Sequence, residues 1–261
     1  MAVALGANPD LQNNNYLILL DMKKIRLLTV ALLLALTGYC AFSQNVYLMS
    51  VGVSDYPGTD NDLRLPVNDA RSMVDLYKAN SSAHTKILTD SEATHQAVVD
   101  AATSLFKNAG ADDIVVFYFS GHGGPSGFYV YDKLLDYKII KDIFAGCTSK
   151  HKMIFADSCH SGKLRETRKQ TSTSPNGIDV MLFLSSRHNE YSKEFENMKN
   201  GLFTACLIKC LKGGADLNRD RMITAKELFT EVSKGVITLS HAQQHPVMWG
   251  NFDDNMPVMK W

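Results

Sequence analysis

No CxxC pair occurs in this chain of 261 residues, and its five cysteines are scattered along it. The spacing that usually brings thiolates to a structural zinc ion is therefore missing. Nor do so few cysteines make a disulfide framework in a domain of this size. An excess of charge is missing too: 27 Lys and Arg face 27 Asp and Glu, for a formal net charge of +0. This removes any general electrostatic case for nucleic acid or an anionic membrane surface as the partner. There is no fixed-period repeat and no long low-complexity tract, so repeat arrays are excluded. What is there is a chain 45% hydrophobic and 21% charged. That suffices for one globular domain with a sizeable core, or at most two small ones.

The apolar run Leu27 to Leu36 is too short for a comfortable membrane span. It follows the basic stretch Met22-Lys23-Lys24-Ile25-Arg26 and precedes Ala41-Phe42-Ser43, with small residues at the two positions a signal peptidase reads. The order reads as a secretory signal peptide over 22–43, cleaved after Ser43. Met22 is then the true start, 1–21 an over-extended gene start, and 44–261 the exported domain, bound for periplasm, cell surface or medium. An uncleaved anchor is the competing reading. Tyr39 is too bulky for a lipobox at Cys40. Of the cysteines left, Cys206 and Cys210 lie one helical turn apart in an apolar segment and read as core thiols.

Within 44–261, apolar strand-like runs alternate with helical spacings. Asn45 to Val53, Lys86 to Leu88, Ile114 to Phe119, Gly127 to Tyr131, Lys152 to Ala156 and Val180 to Leu184 read as strands. Pro66 to Lys78, started by Asn68-Asp69, then Thr94 to Asn108, Tyr137 to Phe144, Leu202 to Leu211 and Thr224 to Leu239 read as helices. This alternation predicts an α/β fold with a mostly parallel central sheet flanked by helices on both faces. Residues 163–177, basic and then Ser/Thr/Pro-rich, read as an exposed, flexible loop.

Two of the predicted strands end in chemistry. Ile114 to Phe119 runs into Ser120-Gly121-His122-Gly123, and Lys152 to Ala156 into Asp157-Ser158-Cys159-His160-Ser161-Gly162. In such sheets ligands bind beyond the carboxyl ends of the strands. A thiol is only slightly ionised at neutral pH and needs a base to become a nucleophile. His122 can serve as that base and then protonate a leaving amine. Gly123 has no side chain to block its N–H, so the Gly123 and Cys159 N–H groups can form an oxyanion hole. Either residue alone is as well explained by chance; both at strand ends, in glycine-bearing turns, point to a cysteine peptidase.

Here the sequence resembles the caspase superfamily, in its metacaspase and bacterial caspase-like branch. The resemblance runs from Val46 to about Gly250. It is carried by Tyr-Phe-Ser-Gly-His-Gly (118–123), Asp-Ser-Cys-His-Ser-Gly (157–162), Pro-Val-Asn-Asp-Ala (66–70), Leu-Ser-Ser-Arg (184–187) and Gly-Leu-Phe-Thr (201–204). It implies a caspase–haemoglobinase fold, His122 as general acid/base, and Cys159 as a nucleophile forming a thioester. It also implies cleavage after Arg or Lys, with Asp69, Ser120, Asp157 and Ser185 lining the S1 pocket. A carboxylate pair in a partly dry pocket favours a guanidinium or ammonium group, although Asp69 can also be read as a helix cap. Lys163, Arg165, Arg168 and Lys169 then become sites of self-cleavage, or else simply a solvated loop. The implied partner is a peptide or protein with a basic P1 residue, met by a monomer. Same-superfamily peptidases of other P1 preference, legumain-like or clostripain-like, and a catalytically silent binding module are the alternatives.

Asp216, Asn218, Asp220 and Glu227 have calcium-loop spacing. Arg221, however, stands where the sharp turn needs glycine. A capping box of Thr224 and Glu227 explains the same residues. The acidic cluster that calcium-activated metacaspases carry after the histidine is replaced by Gly124-Pro125-Ser126-Gly127. No cofactor is expected.

Overall fold

In the computed structural model, residues 44–58, 60–79, 82–124, 126–158, 180–187 and 197–260 are described. The expected leader and gene start (1–43), Cys159 and the loop 163–177 lie outside them. The elements, in chain order, are β1 (Val46–Gly52), α1 (Pro66–Lys78), β2 (Ala83–Thr89), α2 (His95–Phe106), β3 (Ile114–Ser120), β4 (Gly127–Tyr129), β5 (Leu134–Asp136) and α3 (Tyr137–Ala145). They continue with β6 (His151–Asp157), β7 (Val180–Leu184), α4 (Leu202–Lys209), β8 (Met222–Thr224), α5 (Ala225–Leu239), β9 (Val247–Trp249) and β10 (Pro257–Lys260).

Six strands form one sheet in the order β2-β1-β3-β6-β7-β9. All pairings are parallel except β7 with β9. Strand side chains alternate between faces, and both faces are buried, which is why the runs are continuously apolar. Val46, Leu48, Val116, Tyr118, Met153 and Phe155 pack on one face with Ala70 and Met73 of α1, Phe203 of α4 and Val232 of α5. Tyr47, Met49, Phe117, Phe119, Ile154 and Ala156 pack on the other with Val98 of α2 and Ile140 of α3. Phe117, Phe119, Phe155 and Phe183 are fully buried, each contributing about 1.5–3 kcal/mol. The α/β sandwich expected from the alternation is the one observed.

Local chemistry fixes most helix starts. Thr94 accepts from the Ala97 N–H to cap α2, and Asp136 accepts from Lys138 to cap α3. Thr224 and Glu227 form the expected capping box at α5. Thr224→Ala is expected to lower unfolding stability by about 1 kcal/mol, read as a lower urea midpoint.

The start of α1 differs from expectation. Pro66 occupies its first turn and no side chain caps Leu65. Proline's fixed φ suits that position, so Asn68-Asp69 is not the start signal and Asp69 is left for other partners. α4 ends at Lys209 rather than Leu211, where the chain widens into a π turn over Cys210–Gly214 with Gly213 at φ 101°. Four short strands, β5, β8, β9 and β10, were not expected. Three or four residues are too few to show a period.

Candidate active site

β1 is flanked by β2 on one side and β3 on the other, so the connections leaving β1 and β3 part in opposite directions. That is a topological switch point, where a crevice opens beyond the strand ends. The loops after β1 and β3 border it. β3 ends at Ser120, and Gly121 turns the chain at φ 151°. A Cβ on Gly121 would stand 2.6 Å from the Tyr56 hydroxyl, so only glycine fits. His122 follows. Its Nε2 lies 2.8 Å from the main-chain carbonyl of Asn61, in the loop after β1. A carbonyl only accepts, so Nε2 carries the proton and Nδ1 holds the lone pair. The imidazole also packs on the Tyr56 ring, with centroids 4.8 Å apart. The Gly121 N–H donates to the Asp157 carbonyl at 3.3 Å, tying this turn to the end of β6. Gly123 pairs with Phe128 between two ladder bonds, from Gly124 N to Gly127 O and from Tyr129 N to His122 O, both 2.9 Å. The Gly123 N–H is therefore not used in that ladder.

The same strand ends supply a pair of acids on the α1 and α4 side of the sheet. Gly52, Ser120 and Asp157 stand side by side in register. Ser120 and Asp157 share the parity of Tyr118 and Phe155, so both side chains lie on the α1 and α4 face. Asp69, one turn into α1, meets them there. Ser120 Oγ donates to Asp69 Oδ2 at 2.9 Å. Asn200 Nδ2 and the Gly201 N–H each donate to Oδ1 at 2.9 Å. Asp157 Oδ2 receives the Thr204 N–H at 3.1 Å and its hydroxyl at 2.8 Å. Because the Thr204 proton points to Asp157, Tyr118, at 2.6 Å from Thr204 Oγ1, is the donor in that contact. The first turn of α4 thus presents N–H groups to both acids, the end of a helix dipole that favours anions. Gly201 permits the approach: a Cβ there would lie 2.4 Å from Asp157 Oδ2 and 3.2 Å from Asp69 Oδ2.

Burial, and then the charge of Asp157, hold the Asp69 carboxyl well above the usual carboxylate range, against its hydrogen bonds from Asn200, Ser120 and Gly201. The folded protein therefore keeps this proton in a range where the unfolded chain has lost it. Greater proton binding by the folded state means that stability falls as pH rises through that range. Thermal melts across a buffer series are expected to show this fall, and Asp69→Asn, which does not ionise, to flatten it.

Ser185, expected in the pocket, has its hydroxyl on the main chain of Ser158. It accepts from the Ser158 N–H and donates to the Ser158 carbonyl, both at 3.1 Å. The fully buried Gln244 holds the Ser185 carbonyl at 2.8 Å through Nε2. Residue 158, directly before Cys159, is thus held by Ser185, which Gln244 holds in turn. Cys159 itself and the basic residues Lys163, Arg165, Arg168 and Lys169 lie outside the described residues. Cys147, Cys206 and Cys210 are buried and free, and burial pushes the Cys206 thiol up and that of Cys210 up to about 11.

Asp216, Asn218 and Asp220 are turned onto their own loop, with Asp216 accepting from the Asp220 and Arg221 N–H groups. Glu227 is engaged with Thr224. Among the described residues no group of three His, Cys, Asp or Glu side chains could hold a metal ion. No described helix is long and apolar enough to cross a membrane.

Sequence reasoning missed Asn61, Asn200 and Gln244. It included Thr204 only as part of a motif. The signal for the α4 turn was Gly201, a glycine at a helix start where two acids crowd the backbone.

The profile of the caspase domain family matches residues 48–256. Curated relatives include a metacaspase-1 of Candida albicans, 30% identical over 47% of this chain and 34% of its own length. Metacaspase-8 of Arabidopsis thaliana is 33% identical over 46% of this chain and 38% of its own. The chain spans well under half the length of these two relatives. Among solved structures, caspase-1 of Spodoptera frugiperda superposes with a TM-score of 0.61 at 12% identity, covering 80% of this chain and 87% of that one. A Geobacter sulfurreducens protein does so with a TM-score of 0.61 at 18% identity, covering 80% and 94%.

Proposed function

The chain belongs to the caspase domain family of caspase-like cysteine peptidases, and from that premise we propose that it is an endopeptidase cleaving after Arg or Lys. His122 Nδ1, the second nitrogen of an imidazole whose Nε2–H is held by Asn61, takes the proton of the Cys159 thiol. The thiolate attacks the scissile carbonyl carbon, and the oxyanion is received by the Gly123 and Cys159 N–H groups. The imidazolium gives its proton to the leaving amine as the C–N bond breaks, leaving a thioester. Water, deprotonated by His122, then releases the acid and restores the thiol.

The observation that carries this reading is the oriented imidazole: one nitrogen held by a carbonyl, the other with no hydrogen-bond partner among the described residues, at the switch point of the sheet. The P1 assignment is supported by Asp69 and Asp157, two buried acids brought together at the strand ends and receiving five hydrogen bonds from Ser120, Asn200, Gly201 and Thr204. Such a pair of acids favours the guanidinium or ammonium group of an arginine or lysine side chain through charge-assisted hydrogen bonds. A basic P1 preference makes Lys163, Arg165, Arg168 and Lys169 candidate self-processing sites. The leader at 22–43 sends the enzyme out of the cytosol, to act as a monomer in periplasm, at the surface or in the medium.

The test is hydrolysis of fluorogenic peptides with Arg, Lys, Asp or Asn at P1, with Cys159→Ala as control. Hydrolysis of Arg and Lys substrates that the control loses is the expected result. Activity that persists in the control removes the nucleophile, and Asp or Asn preference removes the pocket.

A further inference from the structure

We propose that Tyr56 is a positioning residue for the catalytic base: its hydroxyl replaces one rung of the ladder beside His122 and so aims the imidazole into the crevice. The inference rests on the reading of His122 as that base. Because Gly123 and Phe128 form a pair without ladder bonds, His122 and Tyr129 are the next, bonded pair, which in a regular antiparallel ladder exchanges both N–H···O bonds. Only one of the two is direct, from Tyr129 N to His122 O at 2.9 Å. In place of the other, the His122 N–H donates to Tyr56 Oη at 2.9 Å and Tyr56 Oη donates to the Tyr129 carbonyl at 2.9 Å.

The hydroxyl thus acts as a wedge that splays the chain at His122. Three further contacts show that the wedge is built in. Tyr56 is buried, 7% exposed, and its ring supports the imidazole. Its own N–H is held by Asp62 Oδ1 at 3.1 Å, and the same loop carries the Asn61 carbonyl that fixes Nε2. Gly121 leaves the space the hydroxyl occupies. Burial also keeps the phenol protonated, raising it above its ordinary value. One loop therefore sets both the tautomer of His122, through Asn61, and its direction, through Tyr56.

Tyr56→Phe keeps the ring and removes the wedge. The rung is free to close, with the His122 N–H on the Tyr129 carbonyl, so no buried donor is orphaned and the fold is retained. The imidazole turns from its place, and misplacement on the ångström scale costs rate rather than binding. Asp69, Ser120 and Asp157 lie on the opposite face of the sheet, so binding of a basic P1 residue is not involved.

The experiment measures kcat and KM of the purified full chain on an Arg-P1 fluorogenic peptide for wild type, Tyr56→Phe and His122→Ala, together with the rate of Cys159 alkylation by iodoacetamide. The expected result is a fall in kcat of about tenfold to a hundredfold in Tyr56→Phe, with KM within about twofold, slower alkylation and an unchanged melting temperature. Wild-type kcat in Tyr56→Phe, while His122→Ala is inactive, overturns this inference alone. A rise in KM at unchanged kcat also overturns it, assigning Tyr56 to substrate binding. Full activity in His122→Ala removes the base assignment and this inference with it.

Discussion

Cys159→Ala is expected to abolish hydrolysis of Arg-P1 peptides, a loss on the order of 10⁴-fold or more in kcat, and His122→Ala to cost about 10²- to 10⁴-fold. The two losses have different origins. Without the thiol there is no thioester, and what remains is whatever binding and the oxyanion donors contribute. Without the imidazole the thiol survives but must ionise unaided, and the leaving amine receives no proton. The geometry says which nitrogen is lost. Nε2 is held by Asn61 at 2.8 Å, so in the proposed dyad Nδ1 is the one that exchanges the proton. A double variant is expected to be little worse than Cys159→Ala alone, because groups acting as a unit are not additive. Steady-state kinetics of the three variants provides the check.

The second large effect concerns the acid pair. Asp157→Asn is expected to lower kcat/KM for Arg-P1 peptides by about 30- to several thousand-fold, the cost of removing one member of a buried charge pair. Gly201→Ala probes the same pair without touching a charge. A methyl group 2.4 Å from Asp157 Oδ2 and 3.2 Å from Asp69 Oδ2 cannot be accommodated while both acids keep their donors. Asp157 must move, losing the Thr204 N–H and hydroxyl together. The variant is expected to lose about 1–3 kcal/mol of stability through overpacking, along with most of its discrimination between Arg and uncharged P1 residues. Urea unfolding and a P1 peptide panel measure the two effects. Stability lost with Arg preference intact would show that the turn of α4 supports the fold but not the pocket.

Much of this was legible because strands buried on both faces read as continuous apolar runs. The runs Ile114 to Phe119 and Lys152 to Ala156 announce themselves, and the residues just past them can be named before any sheet is seen. Parity does the rest: once Tyr118 faces α1, Ser120 must as well. What resisted reading was of two kinds. Main-chain groups carry no sequence signature, so the Asn61 carbonyl at His122 was invisible, although it decides the tautomer. Polar residues near helix starts have several local uses, so Asp69 could also be read as a cap; the start of α1 at Pro66 frees it. Ser185 shows the converse. Its motif placed it at the end of β7, and which main-chain groups its hydroxyl meets, those of Ser158, could not be read from the motif. Tyr56 was passed over because the rung it replaces exists only between folded strands.

The central claim is a thiol at Cys159, activated by His122, behind an acidic pocket. It is tested most directly by covalent labelling of the purified protein with peptidyl acyloxymethyl ketones carrying Arg or Asp at P1, with the adduct mapped by peptide mass spectrometry. The account predicts one adduct, on Cys159, formed faster with Arg than with Asp and slowed sharply in His122→Ala. Labelling of Cys147, Cys206 or Cys210 in its place, or faster reaction with the Asp reagent, would contradict it.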